Sequence, residues 1–290
     1  MFKSRSLEHE LAVTTAQSRS NGEIHPLQPF LRWPGGKRWA AKHIASIIGA
    51  HPYKTYSEPF LGGGALFFFL RPARARLSDI NPDLIDTYKT VRDRPHELVC
   101  ALGKYSVSKS AYYQIRAVEP QTPLLRAARF LYLNRTAFSG MYRLNKSGHF
   151  NVPYGGGERT PDLLLQTTIL KDASAALRSA ELIHSDFEAV MDAALSGDVV
   201  YCDPTYTVTH DQNGFVRYNE RNFSWSDQER LSRAAWRARG RGAIVIVSNA
   251  HHREIKKMYR SGKFLKLTRQ STLSANPSKR RAVHEYLIIL

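Results

Sequence analysis

Six consecutive residues, Tyr201-Cys202-Asp203-Pro204-Thr205-Tyr206, carry an unusual set of groups for so short a stretch. They follow an apolar approach, Asp198-Val199-Val200, that reads as a buried strand. Pro204 must end it, because proline has no amide proton for the ladder and restricts the residue before it. Asp203 is therefore expected at a strand's carboxyl end, where open α/β sheets place their ligands. An acceptor-only carboxylate, a proline-fixed carbonyl and an aromatic face meet there. Together they suit a site that holds a planar base by its exocyclic amine. The same residues also fit a plain strand end with a type I turn and proline at its second position.

A second group of residues supplies backbone amides and one cation. In Phe30-Leu31-Arg32-Trp33-Pro34-Gly35-Gly36-Lys37 a Gly-Gly-Lys turn opens a helical pattern through Trp39, Ile44, Ile47 and Ile48. Such a turn suits a carboxylate or phosphate. It is not a Walker loop, since Arg38 follows the lysine and no glycine stands five before Gly36. Next, a strand from Lys54 to Ser57 runs into Glu58-Pro59-Phe60-Leu61-Gly62-Gly63-Gly64-Ala65 and an apolar helix from Leu66 to Leu70. A further strand, Ala75 to Ser78, ends in Asp79-Ile80-Asn81. Strand, glycine loop, helix and a following acid are how doubly wound folds seat an adenosine-bearing cofactor. The glycines do not follow Gly-x-Gly-x-x-Gly, which argues against a nicotinamide. Asp79 reads either as a cofactor ligand or as the N-cap of a helix from Pro82 to Tyr88.

The elements between these segments must position them. From Pro95 to about Leu133 the pattern is helical. It gives way to a stretch from Asn134 to Gly155 that reads as a hairpin with its turn near Asn145 to Gly148. There Arg143 and Lys146 stand beside Phe138, Tyr142 and Phe150, charge and aromatic faces together, as in nucleic-acid-binding elements or a solvated flap over a site. A helix from Pro161 to Leu177, a strand from Glu181 to His184 and a short helix from Asp186 lead back to Asp203. After Tyr206 a polar loop runs from Thr207 to Asn222. Ser226 is expected to cap a basic helix through Leu231, Ala235 and Trp236. The run Ala243 to Val247 is a buried strand ending in Ser248-Asn249. Two last strands, Phe264 to Leu267 and Glu285 to Leu290, enclose a polar, basic insert from Arg269 to Arg281 that suits phosphate contacts or solvent.

Composition sets the outer bounds. The 290 residues are enough for one large α/β domain or two smaller ones, and 42% hydrophobic with 11% aromatic fits a folded protein. Lys and Arg number 42 against 25 Asp and Glu, a net charge of +17, with an isoelectric point near 10.0. A basic excess spread along the whole chain points to a polyanionic partner, nucleic acid ahead of a membrane surface. No apolar run approaches the roughly 20 residues of a membrane span, and the first thirty residues lack a signal peptide's apolar centre. A cytoplasmic protein is expected, with a mobile tail over residues 1–29. Cys100 and Cys202 have neither metal-ligand spacing nor a disulfide framework, so both are expected reduced and partly buried.

In this order the parts resemble the Dam-type (D12 class) N6-adenine DNA methyltransferases. That series runs from a tryptophan and Gly-Gly-Lys segment through a Pro-Phe-x-Gly-x-Gly loop, an Asp-Ile-Asn strand end and a recognition region to an Asp-Pro-Pro-Tyr motif. The likeness covers about Phe30 to Leu290. It implies an S-adenosylmethionine-dependent methyltransferase (Rossmann-like) fold, a mostly parallel seven-stranded sheet with an inserted helical and hairpin recognition domain. The catalytic domain would comprise residues 30–93 and 161–290, and the recognition domain 94–160. The resemblance further implies Asp203, Pro204 and Tyr206 as catalytic residues, and Trp33, Lys37, Phe60, Gly62, Gly64, Asp79 and Asp203 around S-adenosyl-L-methionine. Arg32, Phe138, Ser139, Met141, Arg143 and Pro153 would meet double-stranded DNA, with GATC or a related short site as target. No metal, no membrane and no second subunit are implied. Thr205 departs from the family, which usually has a second proline there. That leaves a catalytically impaired DNA-binding relative, or a cytosine-N4 or RNA enzyme, as alternatives, although Asp at 203 favours adenine over cytosine.

Overall fold

The computed structural model of the chain describes residues 26–145, 147–157, 161–207, 223–270 and 282–290. Most of the expected tail, Lys146 in the hairpin turn, nearly all of the loop after Tyr206 and most of the basic insert lie outside them. Seven strands form one sheet in the order β3-β2-β1-β4-β5-β7-β6. They are β1 (Tyr56–Glu58), β2 (Ala75–Asp79), β3 (Ala180–His184), β4 (Val199–Cys202), β5 (Ile244–Ala250), β6 (Lys263–Gln270) and β7 (Ala282–Ile289). Neighbours from β3 to β5 pair parallel, and β7 runs antiparallel between β5 and β6.

The sheet is buried on both faces, which is why its central strands read as continuous apolar runs rather than alternating ones. Period-two geometry divides their side chains. Val199, Tyr201, Ile246 and Leu287 join the core beneath α1 (Ala41–Gly49), α2 (Ala65–Leu70), α3 (Pro82–Asp93) and α7 (Thr167–Leu177). Val200, Cys202, Val245, Val247 and Ile288 join the opposite core, under α8 (Phe187–Asp192), α9 (Trp225–Gly240) and α10 (Arg253–Met258).

Between β2 and β3 the chain also forms α4 (Pro95–Leu102), α5 (Lys109–Ala117), α6 (Pro123–Thr136) and the hairpin. α6 packs on α3 and α4. The hairpin closes through isolated bridges at Ala137↔Tyr154 and Leu144↔Phe150, and Asn145 N donates to His149 O at 2.8 Å, so the turn falls where Asn145 to Gly148 placed it. Asn134, 3% exposed near the end of α6, accepts from Arg32 N at 2.9 Å and donates to Arg32 O at 2.7 Å. This two-way clamp ties the segment before the Gly-Gly-Lys turn to the base of the hairpin.

Some local readings are corrected. Helix α9 is capped by Ser224 rather than Ser226, although both have an acid three residues on, Asp227 and Glu229. The Ser224 side chain accepts from Asp227 N while Asp227 accepts from Ser224 N, a capping box. The helix expected from Pro161 is a 3-10 turn, Pro161–Leu163, separated from α7 by Gln166 at ψ 59°, and Leu164 enters the core. The N-cap of α3 is Asn81, which accepts from Leu84 N. Cys202 is buried, but Cys100 is exposed, since Leu98, Ala101 and Leu102 form the buried face of α4.

Because the Asn134 clamp satisfies two main-chain groups at once, Asn134→Ala leaves both without it. Its expected cost is about 1–3 kcal/mol of folding stability, read as a lower denaturant midpoint at unchanged slope.

Candidate active site

The strand order reverses between β1 and β4, and ligands of open α/β sheets gather at the carboxyl ends flanking such a switch point. Both sides of this one carry chemistry. Asp203 follows the last residue of β4, and Glu58 is the last residue of β1. Asp79 closes β2, on the far side of β1.

At Asp203 the defining contact is an ion pair. Lys37 Nζ stands 2.7 Å from Asp203 Oδ1 and 3.5 Å from Glu285 Oε2. The Gly-Gly-Lys turn delivers it, with Gly35 at φ 78° and its carbonyl accepting from Nζ at 3.2 Å. Glu285, on β7, accepts in turn from Tyr206 OH at 2.9 Å and Arg269 Nε at 3.0 Å. Lys37 also lies over the Tyr206 ring, 5.0 Å from its centroid. Two cations thus face two carboxylates. The side chains of Lys37 and Glu285 are 6% and 2% exposed, whereas that of Asp203 keeps 19%, so it is the member still open to a ligand. Burial raises the Asp203 carboxyl, against the pull of Lys37. Burial also works against ionised Glu285, but Lys37, Arg269 and Tyr206 together hold it below its ordinary value. Pro204 is buried behind Asp203, and Thr205 is exposed, outside this network.

Beneath lies a second pair. Tyr56 OH donates to Glu58 Oε1, both buried, and burial, with a smaller contribution from the Asp203 charge, pushes the Glu58 carboxyl up to about 8. Glu58 is therefore a neutral acid through most of the physiological range.

On the β2 side, Asp79 accepts from Gly62 N at 3.0 Å and from Asn81 N at 3.0 Å, and burial raises its carboxyl. The glycine loop bends through left-handed conformations at Gly62 (φ 47°) and Gly64 (φ 63°). A side chain on Gly62 would run into the Trp33 indole at 2.8 Å, and one on Gly64 into Tyr88 OH at 2.9 Å, so these positions are closed to larger residues. Trp33 packs on this loop and stacks with Tyr142 (5.8 Å) and Phe130 (6.5 Å). Ile80, 64% exposed, offers an apolar face directly after Asp79.

Residues 33–273 match the profile of the D12 class N6 adenine-specific DNA methyltransferases. The chain belongs to that family. It is 32% identical over 272 residues to a type II methyltransferase of Lactococcus lactis subsp. cremoris, spanning 90% of this chain and 95% of that one. It is 31% identical to a DNA adenine methylase of Escherichia coli K12, over 90% and 94% of the two chains. Its similarity to a DNA N-6-adenine-methyltransferase of Escherichia phage P1, at 34% identity, spans 90% of this chain but 35% of that protein.

In this methyltransferase the residues singled out by sequence fall into separate groups. Lys37, Asp203 and Tyr206 form one network, and Trp33, Gly62, Gly64 and Asp79 form another around the glycine loop. Phe60 instead packs against Phe187 (5.2 Å) and Phe223 (5.5 Å). In the hairpin, Phe138 is 51% exposed, Ser139 is exposed at φ 54°, Pro153 is exposed and Met141 is half-buried. The exposed Arg32 adjoins Gly140, where an added side chain would meet Arg32 Cβ at 2.6 Å. Arg143 is engaged within the hairpin, Nε donating to Asn151 Oδ1 at 2.8 Å. Sequence reasoning missed Glu58, Glu285, Arg269 and Ile80. The available signal was an acid inside an apolar strand, at Glu285 in Val283-His284-Glu285-Tyr286-Leu287, and at the end of β1.

Glu58 makes a pH prediction. Its folded value of about 8 exceeds the ordinary 4.5, so between those values the folded state holds a proton that the unfolded chain releases. Stability then falls as pH rises through this window, and the loss is complete above it. Glu58→Gln, which mimics the protonated acid, is expected to lose less melting temperature across the same window than the wild type.

Proposed function

We propose that this protein transfers a methyl group from S-adenosyl-L-methionine to adenine N6 in double-stranded DNA. The observation that carries the reading is Asp203, a carboxylate at the end of β4 at the sheet's switch point, open on one side and backed by Pro204 and a buried cation. Adenine N6 is a weak nucleophile because its lone pair is delocalised into the ring. Asp203 and the Pro204 carbonyl, both accepting from the amine, favour a pyramidal nitrogen with its lone pair freed. The bound cofactor supplies an electrophilic methyl on a sulfonium. The protein's part is then positioning and electrostatics, without a covalent intermediate.

The residues of the β2 side fit that cofactor. A carboxylate offers about four acceptor directions, and the backbone amides of Gly62, Asn81 and Ile80 occupy only some of those on Asp79, leaving room for a ribose hydroxyl. Ile80 gives an adenine ring an apolar surface. Gly62 and Gly64 let the backbone come close, Trp33 packs on the loop, and Lys37, Phe60 and Asp203 complete the proposed cofactor surroundings.

The target atom is out of reach in a duplex, so the base is flipped outward and stacks on Tyr206. Residues 94–160 form the target-recognition domain on a catalytic domain of residues 30–93 and 161–290. In the recognition domain Met141, Arg143 and Pro153 read bases and Phe138 and Ser139 part the duplex, while Arg32 of the catalytic domain touches the site, which is GATC or a relative of it. The exposure of Phe138, Ser139 and Arg32 supports this assignment, as does the net charge of +17. Thr205, turned to solvent, is compatible with an active enzyme.

Purified protein incubated with duplex DNA and methyl-labelled cofactor is expected to yield N6-methyladenine. Asp203→Ala is expected to cut that transfer by at least about 100-fold, and full activity in the variant would rule out this mechanism. DNA affinity is expected to fall steeply as salt rises, and a flat response would refute the basic-surface argument.

A further inference from the structure

The ammonium of Lys37 holds the buried oxygen of the carboxylate that meets the substrate amine. Asp203 Oδ1, at 2.7 Å from it, is the nearer of its two carboxylate partners. Oδ1 is buried, so a substrate amine meets the carboxylate on its open side, and drawing that charge towards the amine weakens its hold on a cation that is 6% exposed and needs a second partner. Glu285 Oε2 is the alternative, already at 3.5 Å. Lys37 is thus placed to be shared between the two acids.

Glu285 is built to receive it. Its side chain is 2% exposed, and its backbone is held on both sides, paired with Ala250 of β5 and Leu267 of β6. Arg269 Nε fixes Oε1 at 3.0 Å, which leaves Oε2 for Tyr206 OH at 2.9 Å and Lys37. The same oxygen therefore orients the aromatic ring beside Asp203 and holds the cation over that ring. We propose that Glu285 is a positioning residue that shares Lys37 with Asp203, holding the cation as the adenine amine draws on the Asp203 charge, and that it fixes Tyr206 for the incoming base. The inference rests on the proposed adenine transfer, since it needs Asp203 to bind the amine.

Glu285→Gln keeps the shape and a hydrogen-bond acceptor for Tyr206 but removes the charge that shares Lys37. Its kcat is expected to fall about 10- to 100-fold, while KM for duplex DNA stays within about threefold, because the interaction matters most once the amine is engaged. A duplex with 2-aminopurine in place of the target adenine, bound without cofactor, is expected to show a fluorescence change in the variant different from that of the wild type. Lys37→Met supplies the test that a merely structural role would fail. If Glu285 works through Lys37, adding Glu285→Gln to Lys37→Met changes kcat by less than about twofold. Wild-type transfer together with unchanged kcat and fluorescence in Glu285→Gln would overturn this inference and leave the function intact. So would fully additive losses in the double variant. No transfer by the wild type would overturn the functional reading and this inference with it.

Discussion

The site depends on one buried arrangement of charge, Lys37 and Arg269 against Asp203 and Glu285. Taking charged groups out of water is costly unless each is paired, and removing one partner of a fully buried pair strands the other, which typically costs about 3–5 kcal/mol. This requirement links parts of the chain that are far apart in sequence. The turn before α1 supplies Lys37, the end of β4 supplies Asp203, and the antiparallel β6 and β7 supply Arg269 and Glu285. The final pair of strands thus closes more than the sheet's edge: it brings the counter-charges.

The neutral acid below this cluster follows from the same economy of charge. Burial above all, with a smaller contribution from the Asp203 charge, keeps the proton on Glu58, which accepts from Tyr56. Two carboxylates close to one switch point thus have different partners. Asp203 has a cation at 2.7 Å, and Glu58 has a phenol and the Phe67 backbone amide.

Much of this was legible in the sequence. The strand-ending proline after Asp203, the glycine loop and the Asp-Ile-Asn strand end are local signals, because proline, glycine and a chain reversal impose their geometry on their neighbours. The hairpin turn was legible for the same reason. Glu285 and Arg269 were not, since their meaning arises only when β7 inserts between β5 and β6. Nor was the packing of Phe60 against Phe187 and Phe223, which pairs residues that topology alone brings together. The cap of α9 was misplaced by two residues because Ser224 and Ser226 each have an acid three residues on, Asp227 and Glu229, so the capping-box spacing fits both.

The clamp at Asn134 has a different kind of consequence. It grips position 32 by its main-chain amide and carbonyl alone, so the side chain there carries none of the load. Five residues later the same strand of chain delivers Lys37 to the ion cluster. Substitution at position 32 can therefore change the chemistry presented beside the hairpin while the anchor that seats Lys37 stays in register. For directed evolution this makes position 32 a separable dial, adjustable without retuning the catalytic machinery next to it.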